Sequence, residues 1–317
     1  YRPFFPMLGS RLPIYRTMSW QPPWLSSWLT RRYRDLRWTS YDLAVRSQWF
    51  RWLMRQYTAV CNRCRRGSVL YVDLEAERSF RSPEAALPER RTGVVRLVLL
   101  SDTHLWHRQL WVPAGDVLLH AGDSLSEWGH GMTELADFAE WLGRLPHAEK
   151  VVVGGNHDRC LEELGAMQTA QVFAHYSRDS QNPAGVAYLH PDHKATTSLR
   201  SGLVVAGLPW SVPSNAQSKN KAFQPPPDDS SFSDVPDCDI LLTHGPPFSA
   251  LDSNRGSTWL LAAVERVRPR LHAFGHVHEA RGAMFRSGGA FVNAAMCNDF
   301  FCAVRRPIVV DMPVVKS

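Results

Sequence analysis

Five short apolar runs in this sequence are each followed at once by side chains that can bind a metal ion. Their lengths and their content of β-branched residues are typical of strands that are buried on both faces. Such strands need a covering layer of helices, so the pattern predicts an α/β fold. The five runs are VRLVLL (95–100), DVLLH (116–120), KVVV (150–153), DILLT (239–243) and LHAF (271–274).

Two amphipathic helices are predicted between these runs. The first lies near 132–145, where Leu135, Phe138, Leu142 and Leu145 recur at the three-to-four-residue spacing of one helix face. The second lies near 257–268, where Leu260, Leu261, Val264 and Val267 form the apolar face and Pro269 marks the end. Residues 211–236 are polar and rich in proline, which predicts a surface loop that overhangs the site.

The candidate metal ligands share one position, directly after a predicted strand. In open α/β sheets, ligands bind beyond the carboxyl ends of the strands, so these side chains are expected to meet at one edge. Imidazole, carboxylate and amide donors without a thiolate suit manganese, iron or zinc better than calcium or a cysteine-based zinc site. In chain order the candidates are Asp102, His104, Asp123, Asn156, His244, His276 and His278.

Each motif has a simpler explanation when it is considered alone. DxH or GD occurs by chance, a buried histidine is commonly a hydrogen-bonded core residue, and GNHD also suits a turn with a left-handed asparagine. Five such motifs in order, each after a predicted strand, favour a metal site instead.

The same motifs resemble those of the calcineurin-like metallophosphoesterases, which carry DxH, GD, GNHD/E, H and GHxH in this order. The resemblance covers residues 93–313 and is closer to the branch of metallophosphoesterase-domain-containing proteins. It implies two mixed β-sheets flanked by helices. The segments that carry it are SDTH (101–104), GDVLLHAGD (115–123), FAEWLGRLPH (138–147), GLPW (207–210), LLTHGPP (241–247), RPRLHAFGHVHE (268–279), FVNAAMC (291–297) and RPIVVDMP (306–313).

The resemblance also implies a set of ligands for two metal ions. The first ion would be held by Asp102, His104, Asp123 and His278. The second would be held by Asp123, Asn156, His244 and His276. Asp123 would then bridge the two ions and contribute to catalysis. His157 is expected to be the general acid, with a hydrogen-bonding role beside the ligands as the alternative.

The implied activity is hydrolysis of phosphodiesters, possibly cyclic nucleotides, or of phosphomonoesters by a metal-bridging hydroxide. The metals would be two divalent or Fe/Zn-type ions, with manganese expected to support activity in vitro. The sequence has no GxSxG, Walker, GxGxxG or HExxH motif that would indicate another chemistry. A competing hypothesis is a metal-binding scaffold or signalling protein of low activity, recruited through the N-terminal segment.

Residues 1–66 form a basic segment rich in arginine, tryptophan and proline, expected to be a poorly ordered extension. Its thirteen arginines and two aspartates give a net charge of +11, which leaves −5 for the rest of the chain. Contact with an anionic membrane or a nucleic acid is one hypothesis for it, and Cys61 with Cys64 allows a structural zinc as a minor alternative to incidental thiols.

Residues 67–92 are predicted to be a linker and 93–317 the catalytic domain. The sequence contains no transmembrane stretch. The expected location is intracellular, with the cytoplasm preferred, and a mitochondrial leader is the alternative for the basic segment.

Several residues near the motifs have two possible roles each. Asp158 could orient His157 or another imidazole, or lie on the surface. His120 could support Asp123, with a structural or solvated role as the simpler expectation. Arg159 and Arg255 could reach a substrate phosphate, with a structural or solvated role as the simpler expectation. Trp106, Trp128 and Trp210 could stack a nucleobase, with packing as the simpler expectation.

Overall fold

The basic segment 1–66 lies outside the residues that the structure describes. The computed structural model describes residues 68–83, 86–126, 131–178, 185–213, 220–225, 230–286, 289–299 and 301–314. Among these residues, no helix is both long enough and apolar enough to cross a lipid bilayer.

The described residues form thirteen strands and five α-helices. All five predicted strands and both predicted helices are among them, which confirms those predictions. The strands are β1 (Ser68–Asp73), β2 (Arg78–Pro83), β3 (Val94–Leu100), β4 (Val117–Ala121), β5 (Glu149–Val153), β6 (Ala187–Tyr188), β7 (Thr196–Ser198), β8 (Val204–Leu208), β9 (Ile240–Thr243), β10 (Leu271–Phe274), β11 (Gly282–Arg286), β12 (Gly289–Asn293) and β13 (Ile308–Pro313). The helices are α1 (Met132–Arg144), α2 (Arg159–Leu164), α3 (Ala166–Tyr176), α4 (Ser230–Ser233) and α5 (Thr258–Val267).

Two mixed sheets organise these strands. Within the described residues, the first sheet has the order β2-β1-β13-β3-β4-β5-β6, and the second has the order β11-β12-β10-β9-β8-β7. Strands β3, β4 and β5 run parallel in the first sheet, and β8, β9, β10 and β12 run parallel in the second. The carboxyl ends of parallel neighbours lie at the same edge, which brings the predicted ligand positions of each sheet together.

The main core lies between the two sheets. Inward-facing residues such as Leu97 and Val151 of the first sheet pack with Val205 and Leu242 of the second. Helices α1 to α3 cover the outer face of the first sheet, where Phe138 packs in a second apolar cluster. Helices α4 and α5 cover the outer face of the second sheet. The predicted fold class, two mixed sheets between helices, is therefore confirmed.

The predicted linker 67–92 is wrong for residues 68–83. These residues form β1 and β2, and β1 pairs in parallel with β13 through contacts such as Leu70 with Ile308. Val69 and Val72 are fully buried. Because the partner strand of β1 is distant in the sequence, local composition gave no sign of this pairing. The two strands belong to the same sheet as β3, so the domain does not begin at residue 93.

An ion pair around the buried carboxylate of Asp311 joins β1, β13 and β3, which are neighbours in the first sheet. Asp311 of β13 accepts hydrogen bonds from Nε and Nη2 of Arg96 at 2.7 and 2.8 Å. The hydroxyl of Tyr71 on β1 donates to Oδ2 of the same carboxylate at 2.8 Å. Asp311 is fully buried, so these bonds supply the polar partners that burial of a carboxylate requires.

His272 is buried on the outer face of the second sheet and makes the domain sensitive to acid. Its Nε2 lies 2.8 Å from Oγ1 of Thr243, and burial lowers its pKa to about 3. Between this value and the ordinary pKa of about 6.5, the unfolded chain binds the proton more readily than the folded one. The stability contributed by neutral His272 is therefore complete above about pH 6.5 and is lost as the pH falls towards 3.

Replacing His272 by glutamine is expected to reduce this acid sensitivity. Glutamine can still bond to Thr243 but does not titrate. Urea unfolding at pH 7 and pH 4.5 should show that wild-type protein loses roughly 2 kcal/mol more stability than the variant between the two pH values. Equal losses in the two proteins would contradict the prediction. His193→Gln, a change at an exposed histidine, serves as the control.

Candidate metal centre

The ends of five strands deliver all seven predicted ligand residues to one site. Asp102 and His104 follow β3, Asp123 follows β4, Asn156 follows β5, His244 follows β9, and His276 with His278 follows β10. Four of the residues have positive φ angles, namely Asp102 at 54°, His104 at 40°, Asp123 at 54° and His276 at 66°. Such angles cost roughly 1 kcal/mol for each non-glycine residue, and the surrounding structure holds this strain at the site.

Two glycines allow the loops to approach the carboxylates closely. A Cβ atom at Gly155 would collide with Oδ1 of Asp123, and one at Gly275 would collide with Oδ2 of Asp102. The glycines of the GNHD and GHxH motifs are therefore required for the ligand-bearing loops to meet.

The first group of donors contains Asp102, His104 and His278. Nε2 of His278 lies 3.2 Å from Oδ1 of Asp102 and 3.5 Å from Nε2 of His104. Nε2 of His104 lies 3.8 Å from Oδ2 of Asp123. Donor atoms about 2.1 Å from one cation lie roughly 3.0–3.4 Å apart in octahedral or tetrahedral geometry. The spacing in this group is close to that requirement.

The second group contains Asn156, His244 and His276. Oδ1 of Asn156 lies 2.9 Å from Nε2 of His244 and 2.8 Å from Nδ1 of His276. Nε2 of His244 lies 3.3 Å from Oδ1 of Asp123. Asp123 thus has Oδ1 near the second group and Oδ2 near the first. One buried carboxylate therefore connects the two groups.

Backbone carbonyl groups orient all four histidines that are predicted to be metal ligands. Nδ1 of His104, His244 and His278 lies 3.3, 2.8 and 2.9 Å from the carbonyl oxygens of Leu125, Ala121 and Asn298, respectively. Nε2 of His276 lies 3.1 Å from the carbonyl oxygen of Val212. A carbonyl oxygen only accepts, so the nitrogen facing it carries the proton. In the neutral rings the other nitrogen then directs a lone pair into the site, as metal-binding histidines do.

The ionised carboxylates of the site favour the binding of cations. Burial opposes ionisation of Asp102 and Asp123, but the surrounding histidines outweigh it and hold the pKa of both carboxyl groups below their usual range. Burial also opposes protonation of His244, yet Asp123 and Asp102 together raise the pKa of His244 to about 9. The buried carboxylates that raise the pKa of His244 would equally stabilise a bound cation in place of that proton, and together with an amide oxygen and imidazole nitrogens they suit divalent metal ions.

His157 borders the first group. Its backbone N–H donates to Oδ1 of Asp123 at 2.8 Å, and its Nε2 lies 3.9 Å from Oδ2 of the same residue. Burial lowers the pKa of His157 to about 3, although Asp123 acts in the opposite direction. The predicted acid therefore lies beside the carboxylate that connects the two groups, with a neutral ring at pH 7.

Two residues at the site were missed by the sequence analysis. Asn220 places Nδ2 3.0 Å from Nε2 of His157. The ring of Phe301 packs against the rings of His104, His157 and His278 at centroid distances of 4.9, 5.4 and 5.4 Å. Neither residue belongs to a recognisable motif. The one signal for Asn220 was the prediction that loop 211–236 overhangs the site, which agrees with the contacts of Asn220 and Val212. The prediction is wrong for residues 230–235, where α4 forms and Phe232 and Val235 are buried against the second sheet.

Asp158 and His120 stabilise the loops around the site through hydrogen bonds. Asp158 is buried, and its carboxylate accepts from the backbone N–H groups of Leu125 at 2.8 Å and Gly155 at 2.9 Å. It therefore joins the loops after β4 and β5, and neither orients His157 nor lies on the surface. His120 lies 3.1 Å from the hydroxyl of Thr103. It supports the loop between Asp102 and His104, which agrees with the structural alternative for His120 rather than with direct support of Asp123.

The two arginines considered for substrate phosphate form ion pairs instead, which agrees with their structural alternative. Arg159 pairs with Glu163 along α2 at 2.6 Å, and Arg255 pairs with Glu279. The indole N–H of Trp106 donates to the carbonyl oxygen of Phe301 at 2.8 Å. Trp210 packs against His190 and Phe223 at 5.7 and 6.3 Å, and Trp128 lies outside the described residues.

Comparison with known proteins identifies the family. Residues 95–280 match the family described as Calcineurin-like phosphoesterase. Metallophosphoesterase domain-containing protein 1 of Homo sapiens is 34% identical over 251 residues, which cover 71% of this chain and 73% of the human protein. UPF0046 protein K07C11.7 of Caenorhabditis elegans is 32% identical over 237 residues, which cover 71% of this chain and 78% of the worm protein. The resemblance found in the motifs is thereby confirmed, and the chain belongs to the calcineurin-like phosphoesterase family.

Proposed function

We propose that this protein is a dinuclear metal-dependent phosphoesterase. The observation that carries the proposal is the placement of Asp123, whose two carboxylate oxygens face two separate groups of metal-binding side chains. In the proposed site, Asp102, His104, Asp123 and His278 hold the first metal. Asp123, Asn156, His244 and His276 hold the second.

Two metals in this site would act as Lewis acids that lower the pKa of water and bind the phosphoryl oxygens of the substrate. The protein provides the fixed ligand geometry. The imidazole–carbonyl bonds restrict the ligand rings, and Phe301 covers one side of the first group. Manganese is the metal expected to support activity in vitro, and zinc or iron suits the same donors.

His157 is proposed to protonate the oxygen of the leaving group. Its Nε2 lies near Asp123 at the site, and a proton transferred from this atom would neutralise the leaving alkoxide. Burial keeps the ring neutral in the free protein. A bound phosphoester brings negative charge beside the ring and favours its protonated form.

The proposed substrates are phosphodiesters, with cyclic nucleotides as one class, or phosphomonoesters. The preference for diesters comes from the likeness to the metallophosphoesterase-domain-containing branch.

A panel of phosphoesters, tested with manganese, zinc or iron and again after chelation, would examine both the reaction and the substrate class. Hydrolysis of p-nitrophenyl phosphate or of its bis-ester is expected with manganese and should disappear after chelation. Metal-independent turnover would contradict the proposal. Full metal occupancy without turnover on the panel would instead favour the metal-binding scaffold.

Replacing His157 by alanine is expected to slow hydrolysis most for substrates with poor leaving groups. General acid catalysis contributes roughly 10²-fold or more when the leaving group needs a proton, and much less for p-nitrophenolate. The turnover of phenyl and p-nitrophenyl esters should be compared in wild-type protein, His157→Ala and the exposed control His193→Ala. Metal content is measured in parallel, and its loss in His157→Ala would show that His157 supports metal binding instead.

A further inference from the structure

Phe301 is an apolar side chain that lies among polar rings. Its ring packs against the imidazoles of His104, His157 and His278, with centroids 4.9, 5.4 and 5.4 Å away. Four apolar clusters form the core of the described residues, and Phe301 belongs to none of them. Packing in the core therefore does not account for an aromatic residue at this position.

The backbone of Phe301 is held in a conformation that bulky residues rarely adopt. Its φ angle is 55°, which lies in the left-handed region. The N–H of Phe301 donates to the carbonyl oxygen of Asn298 at 2.9 Å. The carbonyl oxygen of Phe301 accepts from the indole N–H of Trp106 at 2.8 Å. Strain that is maintained by surrounding bonds in this way is typical of functional sites.

The turn that carries Phe301 is joined to the candidate metal site. The carbonyl oxygen of Asn298 lies 2.9 Å from Nδ1 of His278. Nη1 of Arg305 donates to the carbonyl oxygens of His278 and Cys297 at 2.6 and 2.5 Å. These bonds connect the turn to the loop after β10. The ring of Phe301 therefore keeps a fixed position beside the first group of donors.

The ring of Phe301 is in position to touch the substrate. Phe301 is partly exposed, so part of its ring is open to a bound molecule. In the proposed site the phosphate lies against the two groups of donors, and its leaving group points to His157. Because the ring of Phe301 borders both His157 and the first group, the organic part of the leaving group lies next to it.

We propose that Phe301 is a specificity-determining residue that selects phosphoesters with an aromatic leaving group. The inference rests on the proposed function and names a substrate class for the same site. Aromatic rings attract one another edge-to-face or offset, with centroids roughly 4.5–7 Å apart. A small aliphatic group would leave most of the Phe301 ring uncovered. The contact forms in the bound substrate as well as in the transition state, so it should affect KM rather than kcat.

Binding of two phosphonates to the full chain loaded with manganese tests this preference without turnover. Phenylphosphonate and methylphosphonate carry the same charge at alkaline pH and differ in the organic group. Calorimetry should show that wild-type protein binds phenylphosphonate roughly tenfold more tightly. Phe301→Ala should bind the two about equally, and Phe301→Tyr should keep the preference. Phe80→Ala, a change at a 38% exposed phenylalanine of the edge strand β2, is the matched control.

Kinetic constants separate the role of Phe301 from that of the proposed acid. In Phe301→Ala, KM should rise roughly tenfold for both phenyl and p-nitrophenyl phosphate, because both leaving groups are aromatic. His157→Ala is expected to lower kcat instead, and mainly for the phenyl ester. A fall in kcat without a change in KM, or loss of metal, in Phe301→Ala would show that the ring supports the site itself and would overturn the proposal.

The phosphonates also distinguish failure of this inference from failure of the proposed function. Equal affinity of wild-type protein for both phosphonates, or an undiminished preference in Phe301→Ala, would overturn the inference and leave the proposed function standing. A preference for phenylphosphonate that depends on Phe301, in a protein that hydrolyses no ester, would leave the aromatic contact standing and refute the proposed function. Binding of neither phosphonate would refute both.

Discussion

Asp123→Asn is expected to abolish metal-dependent hydrolysis. Asparagine has the shape of aspartate but one oxygen and no charge, so it cannot serve both groups of donors. The variant should lose at least one metal, and turnover should fall by on the order of 10³-fold or more, since each cation stabilises several kcal/mol of developing charge. Metal content measured by atomic emission should fall together with kcat.

Asp137→Asn is a suitable control for this change. Asp137 belongs to α1 and pairs with Arg108 and His107, and its side chain is 40% exposed. Its replacement should leave metal content and turnover close to the wild-type values. If Asp123→Asn kept two metals and its turnover, Asp123 would not bridge, and the assignment of the two groups would be wrong.

Asp311→Ala is expected to cause the largest loss of stability. The change removes the carboxylate shared by Arg96 and Tyr71 and leaves both groups without this partner between β1, β3 and β13. Removing one member of a buried ion pair costs about 3–5 kcal/mol. Urea unfolding of metal-free protein at pH 7 measures the effect on the fold separately from that on the metal site.

Asp192→Ala provides the comparison, because the side chain of Asp192 is 81% exposed. Its effect on the free energy of unfolding should lie within about 0.5 kcal/mol. A similarly small effect for Asp311→Ala would mean that the network contributes little net stability to the first sheet.

The sequence was sufficient to predict the local features of this protein. Each strand that ends at the site is a short apolar run, and each predicted ligand follows its strand directly, so Asp102 or His244 could be singled out without knowledge of the fold. The glycines of the motifs carried the same information, because Gly155 and Gly275 face carboxylates that leave no room for a side chain. The structure brings together the residues that the motifs indicated.

Interactions between distant segments could not be predicted in this way. The composition of residues 68–83 did not identify β13 as their partner. The carbonyl oxygens that orient the histidines of the candidate site belong to the backbone, which every residue type carries, so no sequence pattern marks Val212 or Asn298. Asn220 and Phe301 reach the site through loop conformation, and nothing in their own surroundings distinguishes them from other loop residues.

The central position of β13 also determines when the first sheet can be completed. In the described sheet, β1 and β2 join the remaining strands through β13, and Tyr71 meets Asp311 across 240 positions of the chain. A ribosome adds that length over on the order of tens of seconds. During this time the edge of β1 that pairs with β13 in the complete sheet has no partner strand, and unpaired strand edges can pair with other chains. Closure of the sheet therefore follows the synthesis of every residue of the candidate metal site.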